Sequence, residues 1–241
     1  MCGRFVQAFD PTEVLSAFDG TTIEGGTQLV RKSFNISPTD QISIIVMVDG
    51  QRVLKPARWG FIPKWWNKPL KELGSTFNAR SERLREARSM FSDAFIKRRC
   101  IIPASGFYEW TGEKKDRIPH FFSAADGQLL GLAGLWDVWT DPETGQPVVT
   151  CTIITKKASP WMEKYHDRMP AILWPDDFDP WLTGEGGEDL LQSPPRDLKE
   201  WIVSQRVNRA GVGKDDPTLT DPVEPEPPPP PPEPPRQGSL F

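Results

Sequence analysis

ISIIVMVDGQRVLKPARWG (residues 42–60) decides the fold class. Its first seven residues are a buried strand by composition. Asp49-Gly50 is a two-residue hairpin turn, and QRVLKPARWG returns as a second strand. The same signals recur further along. CIIPASGFYEW (100–110) is strand-like. HFFSA (120–124), a turn at Asp126-Gly127 and QLLGLAGLWDVW (128–139) read as another hairpin. VVTCTIITKKA (148–158) is a further strand, and AILW (171–174) is short and apolar. Helical signals are fewer. Asp10-Pro11-Thr12-Glu13 has the form of a capping box with Pro in the first turn. Leu84, Ala87, Phe91, Ala94 and Phe95 recur at helical spacing and predict a helix over 80–97. Ser159-Pro160 opens a short helix to Tyr165, and weak helices are expected at 176–182 and 194–203. Many strands, few helices and no βαβ alternation predict an α+β, mainly antiparallel β, barrel-like single domain with short flanking helices. The globular part is expected over 1–210.

Of the last 21 residues, ten are proline, so 211–241 reads as a linker followed by a disordered polyproline II spacer. Formal net charge is −4, but it is unevenly spread. Residues 1–100 carry +6, 101–220 carry −7 and the remainder −3. A basic half can present a positive face within an acidic protein, or simply be a solvated surface. Three cysteines without a CxxC make neither a disulfide framework nor a zinc site, and the two histidines stand apart. No metal or organic cofactor is expected. With no signal peptide and no apolar run of membrane-spanning length, the expected location is the cytoplasm.

Five stretches carry groups capable of chemistry. Cys2 follows the first methionine. Once Met1 is removed, it presents an α-amine with a pKa of about 8 and a thiol of about 8.5 on one residue. An amine near neutrality attacks an aldehyde to form an imine, and the adjacent thiol closes a five-membered thiazolidine. No internal cysteine can do this, because its nitrogen is in an amide. In SGFYEWTGEKK (105–115), Glu109 lies between Tyr108 and Trp110. It is either desolvated, with a raised pKa fit for acid/base work, or turned to solvent by strand alternation. In YHDRMPAILW (165–174), His166 suits proton transfer, and Arg168 suits a phosphate or a pairing with Asp167. In FNARSERL (77–84), Asn78 either caps a helix or holds a sugar hydroxyl, with Arg80 on a phosphate. In RWGFIPKWWNK (58–68), Trp65 and Trp66 cannot both enter one core from adjacent positions, and an exposed one would offer a base-stacking surface.

Taken in order, MCGRF (1–5), FNISPTD (34–40), RWGFIPKWW, FNARSE, PASGFYEW (103–110) and HDRMP (166–170) resemble the SRAP family, the SOS response-associated peptidases or abasic-site processing proteins. The resemblance covers roughly residues 2–205. It implies a protein that shields abasic sites in single-stranded DNA through a covalent thiazolidine at Cys2, in the DNA damage response. It further implies that Asn78 orients the Cys2 amine and the deoxyribose, that Glu109 is the acid/base that opens the sugar, and that His166 is a second proton-transfer residue. Thr155 matches an active-site threonine less distinctively. Arg4, Arg80 and Arg168 resemble phosphate-holding arginines, and Trp65 and Trp66 an aromatic pair that interrupts stacking beside the lesion. FNISPTD receives no chemical role. The family's older name keeps a second expectation open, a thiol peptidase built on Cys2, His166 and Asn78 that includes release of Met1. A third is a DNA-binding module with no covalent chemistry.

The chain ends QGSLF. This resembles the short clamp-binding peptide of bacterial replication and repair proteins, with Leu240 and Phe241 for an apolar pocket and Gln237 for its rim. The expected partners are therefore single-stranded DNA with abasic sites and a bacterial sliding clamp. No membrane is expected, the location is nucleoid-associated, and a one-to-one adduct requires only a monomer.

Overall fold

A computed structural model describes residues 2–26, 30–113, 116–193 and 197–224. The strands are β1 (Phe5–Gln7), β2 (Thr21–Ile23), β3 (Ser33–Ile36), β4 (Gln41–Val48), β5 (Gln51–Trp59), β6 (Asn78–Arg80), β7 (Arg99–Ala104), β8 (Gly106–Thr111), β9 (Ile118–Ala124), β10 (Leu130–Thr140), β11 (Pro147–Lys157), β12 (Arg168–Pro170), β13 (Ile172–Leu173) and β14 (Leu198–Ile202). The helices are α1 (Pro11–Ala17), α2 (Ser92–Lys97), α3 (Phe178–Thr183) and α4 (Asp189–Gln192). The β4–β5 hairpin forms in the expected register, with Asp49 and Gly50 both at positive φ (48° and 77°), as a type I′ turn requires.

Antiparallel pairing runs β5-β4-β7-β10-β11, and a parallel contact between β11 and β5, Thr150 to Arg58 and Cys151 to Trp59, closes these five into a barrel. A second sheet, in the order β14-β9-β8-β1-β3, packs alongside. Both faces of the barrel strands are covered. Ile44 and Val46 join one apolar cluster with Phe5, Phe107 and Phe122 of the second sheet. Ile45 joins another with Val14 of α1, Phe95 of α2 and Trp181 of α3. That double burial is why ISIIVMV lacks polar alternation. The capping box at Asp10 and Glu13 is present.

Four local expectations are corrected. HFFSA and QLLGLAGLWDVW do not pair: β9 belongs to the second sheet and β10 to the barrel, so the turn between them carries the chain from one to the other. The helix expected over 80–97 shrinks to α2. Its start is diverted because Asn78–Arg80 pairs in parallel with β11, and Ala87 is exposed. Residues 160–165 form successive turns rather than a helix. Residues 198–202 form strand β14 on the free edge of β9, a tertiary pairing that overrides weak local preference. Packing also continues past 210: Leu219 is buried, and the Val223 N–H donates to Ile202 O at 2.9 Å. The polyproline run and QGSLF lie outside the described residues. Among the described residues, no helix is long and apolar enough to cross a membrane, and no group of three or more His, Cys, Asp or Glu is placed to hold a metal ion.

Ile45 is fully buried and supplies the register contact between β4 and β7, opposite Ile101. Ile45→Ala is expected to cost about 2–5 kcal/mol. Asp10→Ala, which removes only a cap, should cost about 1 kcal/mol. Urea unfolding midpoints of the two variants check this ranking.

Candidate active site

A chain terminus is normally loose unless something ties it down. Here β1 lies between β3 and β8, so the backbone is fixed from Phe5 onward. Phe5 meets Trp59 edge-on at 4.9 Å. Cys2 follows into the same cluster and is 0% exposed. Its carbonyl accepts a 2.9 Å hydrogen bond from Asn78 Nδ2. Asn78 is itself held by β6 on β11. The preceding Phe77 carbonyl accepts from Trp59 Nε1 at 2.8 Å and from the Ile153 N–H at 3.0 Å. Asn78 thus does not cap a helix. Its Oδ1 is buried without a hydrogen-bond partner among the described residues and can accept from a hydroxyl or an amine.

Glu109 lies on β8 on the same face as Phe107, directly opposite His120 of β9, and points inward. It is 2% exposed, which settles the alternation question against solvent. Burial raises its pKa to about 7, against the opposing pull of the chain's amino terminus. His166 follows the 160–165 turns. The Arg168 N–H donates to its Nδ1 at 2.9 Å, so the neutral ring carries its proton on Nε2. Burial and the positive amino terminus push its pKa below the usual histidine value, although exposed Asp167, 2.8 Å from Nδ1, pulls the other way. Gly3, Arg4, Glu109, Trp110, Arg117 and His166 line an open depression of about 330 Å³.

Cys2, Asn78, Glu109 and His166 therefore converge. The thiol of Cys2 is pushed up by burial and then by the nearby Glu109 charge. Burial also raises the thiols of Cys100 and Cys151. Thiol acidity thus does not single out Cys2; its position next to the amino terminus does. Thr155 is buried behind the site, on β11 opposite Arg80.

The three arginines stand differently. Arg80 is exposed and forms no ion pair with a described residue. Arg168 grips both carboxylate oxygens of Glu82 (2.7 and 3.0 Å) and the Thr155 carbonyl (2.7 Å), which fixes the strand that follows His166. Arg4 lines the depression and donates from Nη1 to Asn35 Oδ1 and Val207 O. Trp65 is 60% exposed and Trp66 partly buried, with ring centroids 6.1 Å apart. Their loop is tied to the barrel by Trp139 Nε1 donating to Trp66 O and by the Lys64 N–H donating to Asp137 Oδ2.

Sequence reading missed Arg117, whose guanidinium lies 5.6 Å from the Trp110 ring at the rim of the depression. The charge-rich EKKDR loop was its only signal. It also missed Glu82, whose role depends on a partner 86 residues away.

Comparison with known proteins places this geometry. The abasic site processing protein YoqW of Bacillus subtilis (strain 168) is 37% identical over 217 residues, covering 86% of this chain and 94% of that one. The abasic site processing protein HMCES of Xenopus tropicalis is 31% identical over 210 residues, covering 72% of this chain and 63% of its own length. A crystal structure of a Bordetella bronchiseptica protein superposes with a TM-score of 0.70 at 28% identity, over 84% of this chain and all of the other. A Bacteroides thetaiotaomicron protein of known structure shares the fold, with a TM-score of 0.79 at 21% identity over 92% of this chain and all of the other. The family model for SOS response associated peptidases (SRAP) matches residues 1–210, and the chain belongs to that family.

Proposed function

We propose that this protein processes abasic sites in single-stranded DNA by forming a thiazolidine between Cys2, freed of Met1, and the ring-opened sugar aldehyde. The observation that carries the reading is the convergence of a buried, near-neutral Glu109 and a tethered Asn78 on Cys2, next to the amino terminus. Protonated Glu109 donates to the sugar ring oxygen as the C1′–O4′ bond breaks, and the C1′ hydroxyl passes its proton to neutral His166 to leave the aldehyde. The Cys2 amine attacks C1′, and loss of water leaves the imine. The Cys2 S–H then adds across C=N: sulfur bonds to carbon, and the proton moves to nitrogen through the Glu109 carboxylate. Burial, which raises the thiol pKa, supports the order of amine before thiol. Neutral His166 is the second proton carrier. Asn78 fixes the Cys2 carbonyl and so limits the amine to few orientations, which makes the attack effectively intramolecular. Arg80 and Arg4 supply phosphate contacts, and Trp65 and Trp66 supply the stacking surface. In the peptidase alternative an asparagine must orient the histidine. Asn78 instead holds the Cys2 carbonyl, and the backbone of Arg168 orients His166.

Wild-type protein incubated with an abasic single strand is expected to give a band shifted on a denaturing gel and stable to heat. Cys2→Ser, or a form retaining Met1, should lose the heat-stable adduct; an undiminished band in either would overturn the reading. Intact mass of the purified protein shows whether Met1 is gone.

Glu109 provides a pH test. Its folded pKa, about 7, lies above the unfolded value near 4.5. The folded state therefore holds more protons between those values, and its stability falls as pH rises through that window. Glu109→Gln should be more thermostable than wild type above pH 7 and lose that advantage near pH 4. It should also abolish the inflection near pH 7 in the rate of adduct formation, leaving that of the amine near pH 8. An unchanged rate profile would remove Glu109 from the chemistry.

The proposal extends to the tail. QGSLF, on a proline spacer that spans on the order of 60 Å when extended, delivers the domain to a bacterial sliding clamp through Gln237, Leu240 and Phe241. Capture on immobilised clamp should fall at least tenfold on deletion of 237–241; equal capture refutes it.

A further inference from the structure

Two motifs, FNISPTD and the Arg58-Trp59-Gly60 that opens RWGFIPKWW, have no part in the chemistry above. They meet in space. A slot of about 370 Å³, within the usual size range of small-molecule sites (about 300–1,000 Å³), opens beside Phe77, the residue before Asn78. Pro38, Leu70, Leu73 and Phe77 give it apolar walls over the fully buried Trp59, and Arg58 contributes a cation.

Arg58 is half-buried, and burial lowers its pKa. It makes no ion pair with a described carboxylate. Nη1 donates to Gly60 O at 2.9 Å; Nε and Nη2 make no hydrogen bond to a described residue. A half-buried guanidinium with no carboxylate beside it keeps donors free for acceptors that a ligand brings. The backbone is shaped around it. Gly60 has a φ of 139°, and a Cβ there would stand 2.7 Å from Arg58 Nη1, so only glycine lets the guanidinium fold back over the chain. Across the slot, Thr39 holds a φ of 80°. For a β-branched residue this is a strained conformation. It is kept in place by its N–H donating to Trp59 O at 2.7 Å and by the Asp40 N–H donating to Ser37 O at 3.0 Å. Strain, a cation without a described carboxylate partner and apolar walls thus coincide in one slot lined by Phe77.

We propose that this slot takes the nucleobase next to the abasic site, its ring against the apolar walls and its acceptor edge on Arg58, with a preference for guanine. Guanine offers O6 and N7 side by side, the pair that matches two parallel guanidinium donors. The slot is a specificity subsite of the Cys2 centre and rests on the DNA reading given above. Phe77, which lines it, directly precedes Asn78 in the chain.

The test uses short single strands carrying a tetrahydrofuran abasic analogue, which has no aldehyde, with each of the four bases in turn on either side. Full-length protein binding is read by fluorescence anisotropy across a salt series. Wild type should favour guanine on one side by about tenfold. Arg58→Gln should erase the preference, and Arg58→Lys should not restore it, because an ammonium cannot make the paired contact. Leu70 is 41% exposed at the rim; Leu70→Trp should occlude the slot and erase the preference with Arg58 intact. This variant carries the test if Arg58→Gln does not fold. The subsite is overturned if wild type shows no base preference or if the variants keep it. It is also overturned if Arg58→Gln weakens all four strands equally and lowers the salt slope by about one, the mark of a phosphate contact. Adduct formation on authentic abasic DNA is followed in the same proteins. An adduct without base preference sinks the slot alone, whereas preference without an adduct sinks the Cys2 chemistry alone.

Discussion

The site depends on holding residue 2 still. Ordering a residue costs about 1–2 kcal/mol of backbone entropy, and a chain end has neighbours on one side only. Two contacts offset this cost. Phe5 packs against Trp59 inside the first core cluster, and Asn78 Nδ2 binds the Cys2 carbonyl. Both lead back to barrel closure. Trp59 ends β5 where it meets β11, and Asn78 starts β6, which also lies along β11. Strand β11 is therefore the common support: it closes the barrel, carries Asn78 and Arg80, and contributes Thr155. A loss of β5–β11 pairing would loosen Trp59, then Phe5, then Cys2.

The electrostatics follow from that burial. A desolvated carboxylate is expensive when charged, so Glu109 destabilises the fold at neutral pH while gaining a pKa of about 7. The same desolvation disarms the Cys2 thiol as a free nucleophile. An enzyme relying on thiolate attack would need the opposite environment. That environment is consistent with the proposed order, in which the amine leads and the thiol adds as S–H to an imine already formed. The charge asymmetry between the two halves of the chain is partly spent internally. Arg52 pairs with Asp179, Arg85 with Glu188 and Arg98 with Asp137. Arg58 and Arg80, on either side of Phe77 and Asn78, have no such carboxylate partner among the described residues.

Legibility from sequence divided along physical lines. The barrel strands were readable because burial on both faces writes an uninterrupted apolar run, as in ISIIVMV. The Asp49-Gly50 turn and the Asp10 cap were readable because a few local atoms enforce them. The β9 to β10 crossing was not, since its turn looks like any hairpin turn and only sheet packing sends the strands apart. The helix over 80–97 failed because its apolar spacing served separate contacts instead: Leu84 is buried, Phe91 packs on Phe61 at 5.3 Å and α2 begins anew at Ser92. Cys2, Asn78, Glu109 and His166 were each visible as residue types with a plausible chemistry. That they form one site depends on distances no linear pattern contains. Arg168 shows the reverse case: it was read as a phosphate ligand, and its grip on Glu82 was hidden by the 86 residues between them.

The coupling between recognition and chemistry can be argued from the same β5–β11 junction. Trp59 touches the reactive end of the chain through Phe5 and the slot through Phe77. Its Nε1 donates to the carbonyl that directly precedes Asn78. A base entering the slot would press on Phe77, whose ring meets the buried Trp59 edge-on at 5.6 Å. Packed cores respond to such contact as rigid bodies rather than by diffuse yielding. Occupancy of the slot would thereby hold Asn78 in register with the Cys2 carbonyl, so the flanking nucleotide would influence the rate of attack as well as affinity. A surface patch remote from Trp59 could raise affinity but has no such route to the amine.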